Sequence, residues 1–417
     1  MNAPAERAHL QPLAASGLRS FADYPTQALM RVAERPACVF THGQGSWLCD
    51  SEGRRCLDWV QGWAVNTLGH APAEVAAALS AQAARLLQAG PGFHNDRAIE
   101  LAARLTEASG LGRCFVTTSG AEANEGAIKL ARKYGQVQRG GAFEIITFAD
   151  AFHGRTLATM SASGKAGFER LFEPKVTGFP KARLNDLASV QALIHARTVA
   201  VMLEPIQGEA GVIEAQPSFL QALRELCDAQ GLLLILDEVQ TGVGRTGRLW
   251  AHQWSGIQPD IMTLGKGLGG GVPIGAVLAR ESVCCFEPGD QGGTYTGHAL
   301  MCAAALAVLD VVQAPGFLAR VQTRSEQMRH GLQAFSSRLG GGPVRGRGLL
   351  LALDLPGDDT ATRIAQAARE RAVAGDAARP GLLLNPVRPA SLRLVPALNL
   401  SEDDLAVGLQ VLDETVR

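Results

Sequence analysis

An unbroken apolar run, Leu232-Leu233-Leu234-Ile235-Leu236, leads straight into Asp237, and Lys266 follows between two glycines after Ile261-Met262-Thr263-Leu264. Such a run reads as a strand buried on both faces, and it delivers an acid at its carboxyl end, where open α/β sheets bind ligands. A second buried strand delivers the lysine. A carboxylate and an amine held on neighbouring elements suit pyridoxal phosphate, the amine forming a Schiff base and the acid pairing with the protonated ring nitrogen. A buried ion pair is the plainer reading of the same two residues, because charges buried without a function are normally paired anyway.

Four further stretches surround that pair: Thr118-Ser119-Gly120-Ala121-Glu122-Ala123-Asn124-Glu125, Phe152-His153-Gly154-Arg155-Thr156, Glu204-Pro205-Ile206-Gln207-Gly208-Glu209 and Gly293-Thr294-Tyr295. The first follows a short apolar strand and opens a helical composition, so residues 119–121 sit at a helix N-terminus, where free N–H groups and the helix dipole attract an anion. Taken alone, the stretch reads more plainly as an ordinary Ser N-cap with Glu122 three positions on. In order and spacing the set resembles the class III (subgroup II) pyridoxal-phosphate aminotransferases, and within them the acetylornithine aminotransferases. The likeness runs from about Val39 to the C-terminus.

That resemblance implies a type I aminotransferase fold and a role for each matched residue. The amides of Gly120 and Ala121 hold the cofactor phosphate, joined by Thr294 from the partner subunit of a homodimer with shared active sites. Phe152 and Val239 sandwich the pyridine ring, Gln240 bonds its phenolic oxygen, and Asp237 faces its nitrogen. Lys266 anchors the cofactor and, once displaced, serves as the base. Arg393 clamps the α-carboxylate of 2-oxoglutarate and glutamate; Glu209 pairs with it while an ω-amino donor is bound and swings away for 2-oxoglutarate, the alternative being a plain structural ion pair. Arg155 grips the carboxylate of the donor.

The implied reaction moves the terminal amino group of N-acetylornithine to 2-oxoglutarate, giving N-acetylglutamate 5-semialdehyde and glutamate in arginine metabolism. Succinylornithine, ornithine, 4-aminobutyrate or another ω-amino acid as donor is the alternative within the group; a semialdehyde aminomutase of the same fold and a non-catalytic relative lie outside it. Ornithine δ-aminotransferases carry a tyrosine where this chain has Gly62, in Gly62-Trp63-Ala64-Val65-Asn66. A glycine leaves room for an acylated nitrogen, although Trp63 could crowd the same space. The chain also departs from its relatives at Gly292-Gly293-Thr294-Tyr295-Thr296-Gly297-His298-Ala299-Leu300, where they read Gly-Ser-Thr-Phe-Gly-Gly-Asn-Pro-Leu. Gly293 thus lacks the serine hydroxyl expected near the substrate.

The elements that must position these groups read as α/β. Apolar strands at 143–148, 198–203 and before Asp237 alternate with Ala- and Leu-rich helices, which predicts a mostly parallel sheet covered by helices. Residues 1–64 form an N-terminal segment with a small hairpin around Gly43-Gln44-Gly45, 65–316 a large cofactor domain, and 317–417 a smaller α/β domain after the break at Pro315-Gly316. Strands are expected at 349–355 and 391–395, a helix at 298–313 and another over 366–378, a turn at Arg345-Gly346-Arg347-Gly348, and a flexible loop at 267–271. That loop lacks the Ser or Thr that a P-loop places after its lysine. His153, between Phe152 and Gly154, fits a structural role better than that of a base.

At 417 residues, with 47% hydrophobic and 19% charged residues, the chain suits a globular protein of two or more substructures. A net charge of -1 gives no footprint for nucleic acid or an anionic membrane. Residues 1–20 lack a secretory pattern and no window reaches a membrane span, so a cytoplasmic location is expected. Eight scattered cysteines without a C-x-x-C pair predict reduced thiols and no metal site.

Overall fold

The structure, a computed structural model, describes residues 19–387 and 390–416. The reading of a missing leader falls mostly on residues 1–18 and so lies outside the described residues.

Strands with apolar residues at every position need cover on both faces, and they form the centre of the molecule. A seven-stranded sheet runs in the order Arg113–Thr117, Gly275–Ala279, Ile261–Leu264, Leu233–Asp237, Thr198–Leu203, Glu144–Phe148, Lys181–Ala182. From Ile261–Leu264 onward all neighbours are parallel, while Gly275–Ala279 runs against both of its own. Side chains alternate across it. Leu233 and Ile235 meet Ala123, Ala127 and Ile128 of the helix Gly120–Gln138, and Leu234 and Leu236 meet Phe219, Leu220 and Leu223 of the helix Pro217–Gln230. Each such buried Leu or Ile contributes about 1.5–3 kcal/mol. With both faces sealed, ligands have access to this sheet only at strand ends, and Asp237 pairs in register with Thr263 at that end.

The hairpin of Phe40–Gln44 and Trp47–Asp50 continues antiparallel into Arg55–Asp58, which in turn pairs in parallel with Gly381–Leu383 from the far end of the chain. The helix Ala299–Val312 stops before Pro315, and Gly316, at a φ of 78°, caps the next helix, Phe317–Arg338. That helix covers a four-stranded antiparallel sheet in the order Arg345–Arg347, Leu350–Asp354, Ser391–Leu394, Asn385–Val387.

Three local expectations give way. Of the turn expected at 345–348 only Gly348 lies in one, and Arg345-Gly346-Arg347 is an edge strand, because Arg345 pairs with Asp354 at 2.7 Å and Arg347 with Glu214 at 2.6 Å, fixing both charges on neighbouring elements. The helix expected over 366–378 is Thr360–Glu370; its burial of Ile364, Ala365 and Ala368 ends there, and Gly375 with its φ of 73° belongs to the turns that follow. The glycines after Lys266 form a buried 3-10 turn, Lys266–Gly269, anchored by the fully buried Leu268 rather than left as a flexible loop. Among the described residues no single helix is long and apolar enough to cross a membrane, and no His, Cys, Asp or Glu cluster could hold a metal.

Candidate active site

Asp237 leaves its strand 3% exposed, so its charge requires partners from the chain. Its Oδ2 accepts from His153 Nδ1 and from Asn124 Nδ2, both at 2.8 Å, and its Oδ1 accepts from the Val239 amide at 3.0 Å. An ionised carboxylate only accepts, so His153 carries its proton on Nδ1 here, leaving the buried Nε2 without a partner. Asn124 is itself fixed by Thr263 Oγ1 at 2.7 Å and by the His153 carbonyl at 2.7 Å. His153 therefore has a structural task, but a sharper one than its sequence context suggests: it aims Asp237.

The helix Gly120–Gln138 starts beside this carboxylate. Ser119 caps it, its Oγ accepting from the Glu122 amide at 3.2 Å, while the Glu122 carboxylate accepts from the Thr118 amide at 2.8 Å. The packing around the first turn is tight enough to require glycine. A Cβ on Gly120 would come within 2.5 Å of Val239 Cγ1, and one on Gly265 within 2.9 Å of Gly120 Cα. Two strand ends thus close on one helix N-terminus, and the amides of Gly120 and Ala121 could hold an anion there. Ala121 also touches the second motif, since a Cβ on Gly154 would lie 2.9 Å from its own.

Lys266 follows Gly265 in a left-handed conformation, φ 40°, and the Thr67 hydroxyl donates to the Gly267 carbonyl at 2.8 Å, tying the turn down. Burial lowers the ammonium below lysine's ordinary range and nearby Arg393 adds to it, against the opposing pull of Glu209, Asp237 and Glu204. A lysine so placed spends more time neutral, the state in which it can act as nucleophile or base. Glu204 is also buried and accepts from the Phe152 amide at 2.9 Å. Burial, and then the Asp237 carboxylate, push its carboxyl up to about 8.

The other wall comes from the C-terminal sheet. Arg393 is 1% exposed; its Nε and Nη2 donate to Asn385 Oδ1 at 2.9 and 2.7 Å, and Nη2 lies 2.8 Å from Glu209 Oε1. Lys165 Nζ holds the other Glu209 oxygen at 2.8 Å. Burial alone would raise Glu209, but Arg393 and Lys165 together outweigh it and hold the carboxyl at about 2. The buried Nη1 of Arg393 and Oε1 of Gln240 have no hydrogen-bond partner within the described chain. They flank Gly208, where a Cβ would fall 1.7 Å from the Gln240 oxygen and 3.3 Å from Arg393 Nη1.

Phe152 is half-buried at the mouth, and the exposed Arg155 lies with its guanidinium carbon 6.0 Å from the Phe152 ring and 5.5 Å from that of Phe168. Arg155 has no carboxylate partner among the described residues. Residues Gln61, Gly62, Trp63 and Ala64 form a left-handed turn, with φ of 47°, 61°, 61° and 68°, and Trp63 is 56% exposed. Thr294 and Gly293 lie on an exposed turn whose described contacts run elsewhere: the Thr294 carbonyl accepts from Gln88 Nε2 at 2.8 Å. The structure therefore brings Lys266, Asp237, Gly120, Ala121, Val239, Gln240, Glu209 and Arg393 together, while nothing described joins Thr294 and Gly293 of the same chain to them. Asn385 and Lys165 complete the site without having been signalled by any motif, and Asn124, which stands in the first motif without an assigned role, fixes Asp237.

These groups fit pyridoxal phosphate end to end. The helix start offers amides to the phosphate, the aimed carboxylate suits a protonated ring nitrogen, Lys266 is depressed toward its neutral form, and the unpartnered Gln240 amide stands beside Arg393. Known proteins agree with this geometry. The family profile described as Aminotransferase class-III matches residues 29–416. An acetylornithine aminotransferase 2 from Bordetella bronchiseptica is 56% identical over 95% of this chain and 98% of its own, and an acetylornithine aminotransferase from Ralstonia nicotianae is 54% identical over 93% and 96%. Among solved structures, the N-acetylornithine aminotransferase from Stenotrophomonas maltophilia K279a superposes with a TM-score of 0.79 at 36% identity, covering 94% of this chain and 97% of that one. The ornithine aminotransferase from Toxoplasma gondii ME49 superposes at 0.87 and 30% identity, covering 94% and 93%.

Proposed function

Because the chain belongs to the class-III aminotransferases, which use pyridoxal phosphate, we propose that it transfers the terminal amino group of N-acetylornithine to 2-oxoglutarate, yielding N-acetylglutamate 5-semialdehyde and glutamate. Bound pyridoxal phosphate supplies the electron sink that makes the substrate C–H bond acidic. With the cofactor bound, Lys266 Nζ would take a proton from Cδ of the donor and, in the return half, deliver one to Cα of the nascent glutamate. Asp237, aimed by His153 and Asn124, keeps the cofactor ring nitrogen protonated. Gly120 and Ala121 bind the phosphate, joined by Thr294 of the partner subunit, and Phe152 and Val239 exclude water from the ring faces.

The observation that carries the substrate reading is the Arg393–Glu209 pair with Arg393 Nη1 left open. An ω-amino end that carries no carboxylate and an α-amino end that carries one must enter the same place in turn. Glu209 masks the guanidinium for the first and yields it to the second. Arg155, exposed and without a carboxylate partner, then takes the carboxylate of the donor. Gly62 leaves room for the acyl group, and the exposure of Trp63 keeps its indole out of the chain's own interior. A cytoplasmic homodimer completes the proposal, organised as an N-terminal segment 1–64, a cofactor domain 65–316 and a small domain 317–417; the eight cysteines, all free thiols, suit a reducing compartment.

The test is spectroscopic. Holoenzyme mixed with N-acetylornithine alone should lose its yellow absorbance and regain it with 2-oxoglutarate, faster than with succinylornithine, ornithine or 4-aminobutyrate. A better response to one of those three transfers the donor assignment to it, and recovery without 2-oxoglutarate identifies a mutase.

A further inference from the structure

Glu209 is held from two sides, and only one of the holders belongs to the motifs that mark the site. Its Oε1 faces Arg393 Nη2 at 2.8 Å and its Oε2 faces Lys165 Nζ at 2.8 Å. The Glu209 side chain is 22% exposed, so a carboxylate that simply left Arg393 would lose its strongest partner without reaching bulk water. Lys165 is differently placed. Its ammonium lies 5.4 Å from the centre of the Phe152 ring, and its side chain is 33% exposed and lines a cavity of about 600 Å³, so it has the freedom to follow the carboxylate where the doubly anchored Arg393 has none.

We propose that Lys165 is a positioning residue, a latch that retains Glu209 when 2-oxoglutarate takes Arg393, so that the acceptor half of the reaction opens by sliding one ion pair along to another. This rests on the reading that Glu209 and an incoming carboxylate compete for Arg393. With the donor bound, Glu209 bridges both cations. With 2-oxoglutarate bound, the α-carboxylate occupies Arg393 and Glu209 keeps Lys165 alone, leaving no unpaired charge in either state. Removing Lys165 therefore penalises the open state, where it is the sole partner of Glu209, more than the closed one, where Arg393 remains.

The experiment uses holoenzyme carrying Lys165→Met, with Lys165→Arg as the conservative control. Glutarate, an unreactive analogue of 2-oxoglutarate, is titrated by thermal shift, and each half-reaction is followed in a single turnover. Lys165→Met should weaken glutarate roughly tenfold, the worth of one hydrogen bond to a charged group. It should also slow the 2-oxoglutarate half-reaction of pyridoxamine-phosphate-loaded enzyme more than it slows the N-acetylornithine half, and Lys165→Arg should restore both. In a Glu209→Gln background the effect on glutarate should shrink, because there is no gate to latch. Equal slowing of the two half-reactions, or an undiminished effect of Lys165→Met in the Glu209→Gln background, overturns the proposal. A native enzyme that ignores N-acetylornithine sinks the donor assignment alone, since the glutarate arm contains no donor.

Discussion

Lys266 and Asp237 are joined by chemistry more than by contact, and substitutions should separate their roles. Lys266→Ala removes the proposed base, which should cost roughly 10²- to 10⁴-fold in turnover from proton transfer alone, while the helix start at Gly120 should still bind pyridoxal phosphate; equilibrium dialysis of the cofactor beside an activity assay distinguishes the two. Glu204 gives a pH signature. Its folded pKa of about 8 lies above the ordinary carboxylate value of 4.5, so its contribution to stability is fully present below about 4.5 and is lost as pH rises through about 8. Glu204→Gln should flatten that part of the stability profile of the cofactor-free protein, raising the denaturation midpoint relative to the native chain most at pH 8 and above. A profile identical to that of the native chain would place the ionisation elsewhere. The residues proposed to react were legible in the sequence because each follows an apolar run or sits in a motif. Asn385 was not, and Asn124 lay in a motif without its task showing, because each acts only through a partner that folding brings to it. Asn385 reaches Arg393 through the antiparallel register of two short strands, and Asn124 reaches Asp237 across 113 residues of chain.

At the scale of elements, the strand ending at Leu264, the strand ending at Asp237 and the helix beginning at Gly120 meet with no spare volume. Gly265 has an extended backbone that any residue adopts, so alanine there is barred only by what its Cβ would touch, the first helical glycine at 2.9 Å. Gly265→Ala should cost about 1–3 kcal/mol of overpacking, appearing mainly as a cofactor dissociation constant raised about tenfold or more with secondary structure unchanged; fluorescence titration with pyridoxal phosphate measures it. Strands of continuous apolar sequence such as 198–203 and 233–237 were readable because burial on both faces leaves no other pattern. The strand Arg345–Arg347 was not. Two arginines about one glycine carry no strand signal, and only Asp354 and Glu214, which receive the charges, make an edge strand of them.

For the whole molecule, the turn carrying Thr294 decides whether one chain suffices. If Thr294 serves the partner's cofactor, mixing Lys266→Ala with Thr294→Ala subunits under conditions that exchange protomers should yield activity well above the sum of the two variants, because each hybrid dimer regains one site with both groups intact. Activity no greater than that sum would assign Thr294 to its own chain or to no site at all. No single chain's fold would display such an arrangement, since the relevant distance would lie between copies.

The pairing of Arg55–Asp58 with Gly381–Leu383 bears on how the protein is born. During synthesis the N-terminal hairpin emerges with one strand edge open, and the segment that covers it leaves the ribosome only after most of the chain has followed, a delay on the order of tens of seconds. For that interval Cys56 and Leu57, both buried in the finished protein, belong to an unpaired edge. A nascent chain stalled before Gly381 should therefore engage holding chaperones through this hairpin and release them once the last strand arrives.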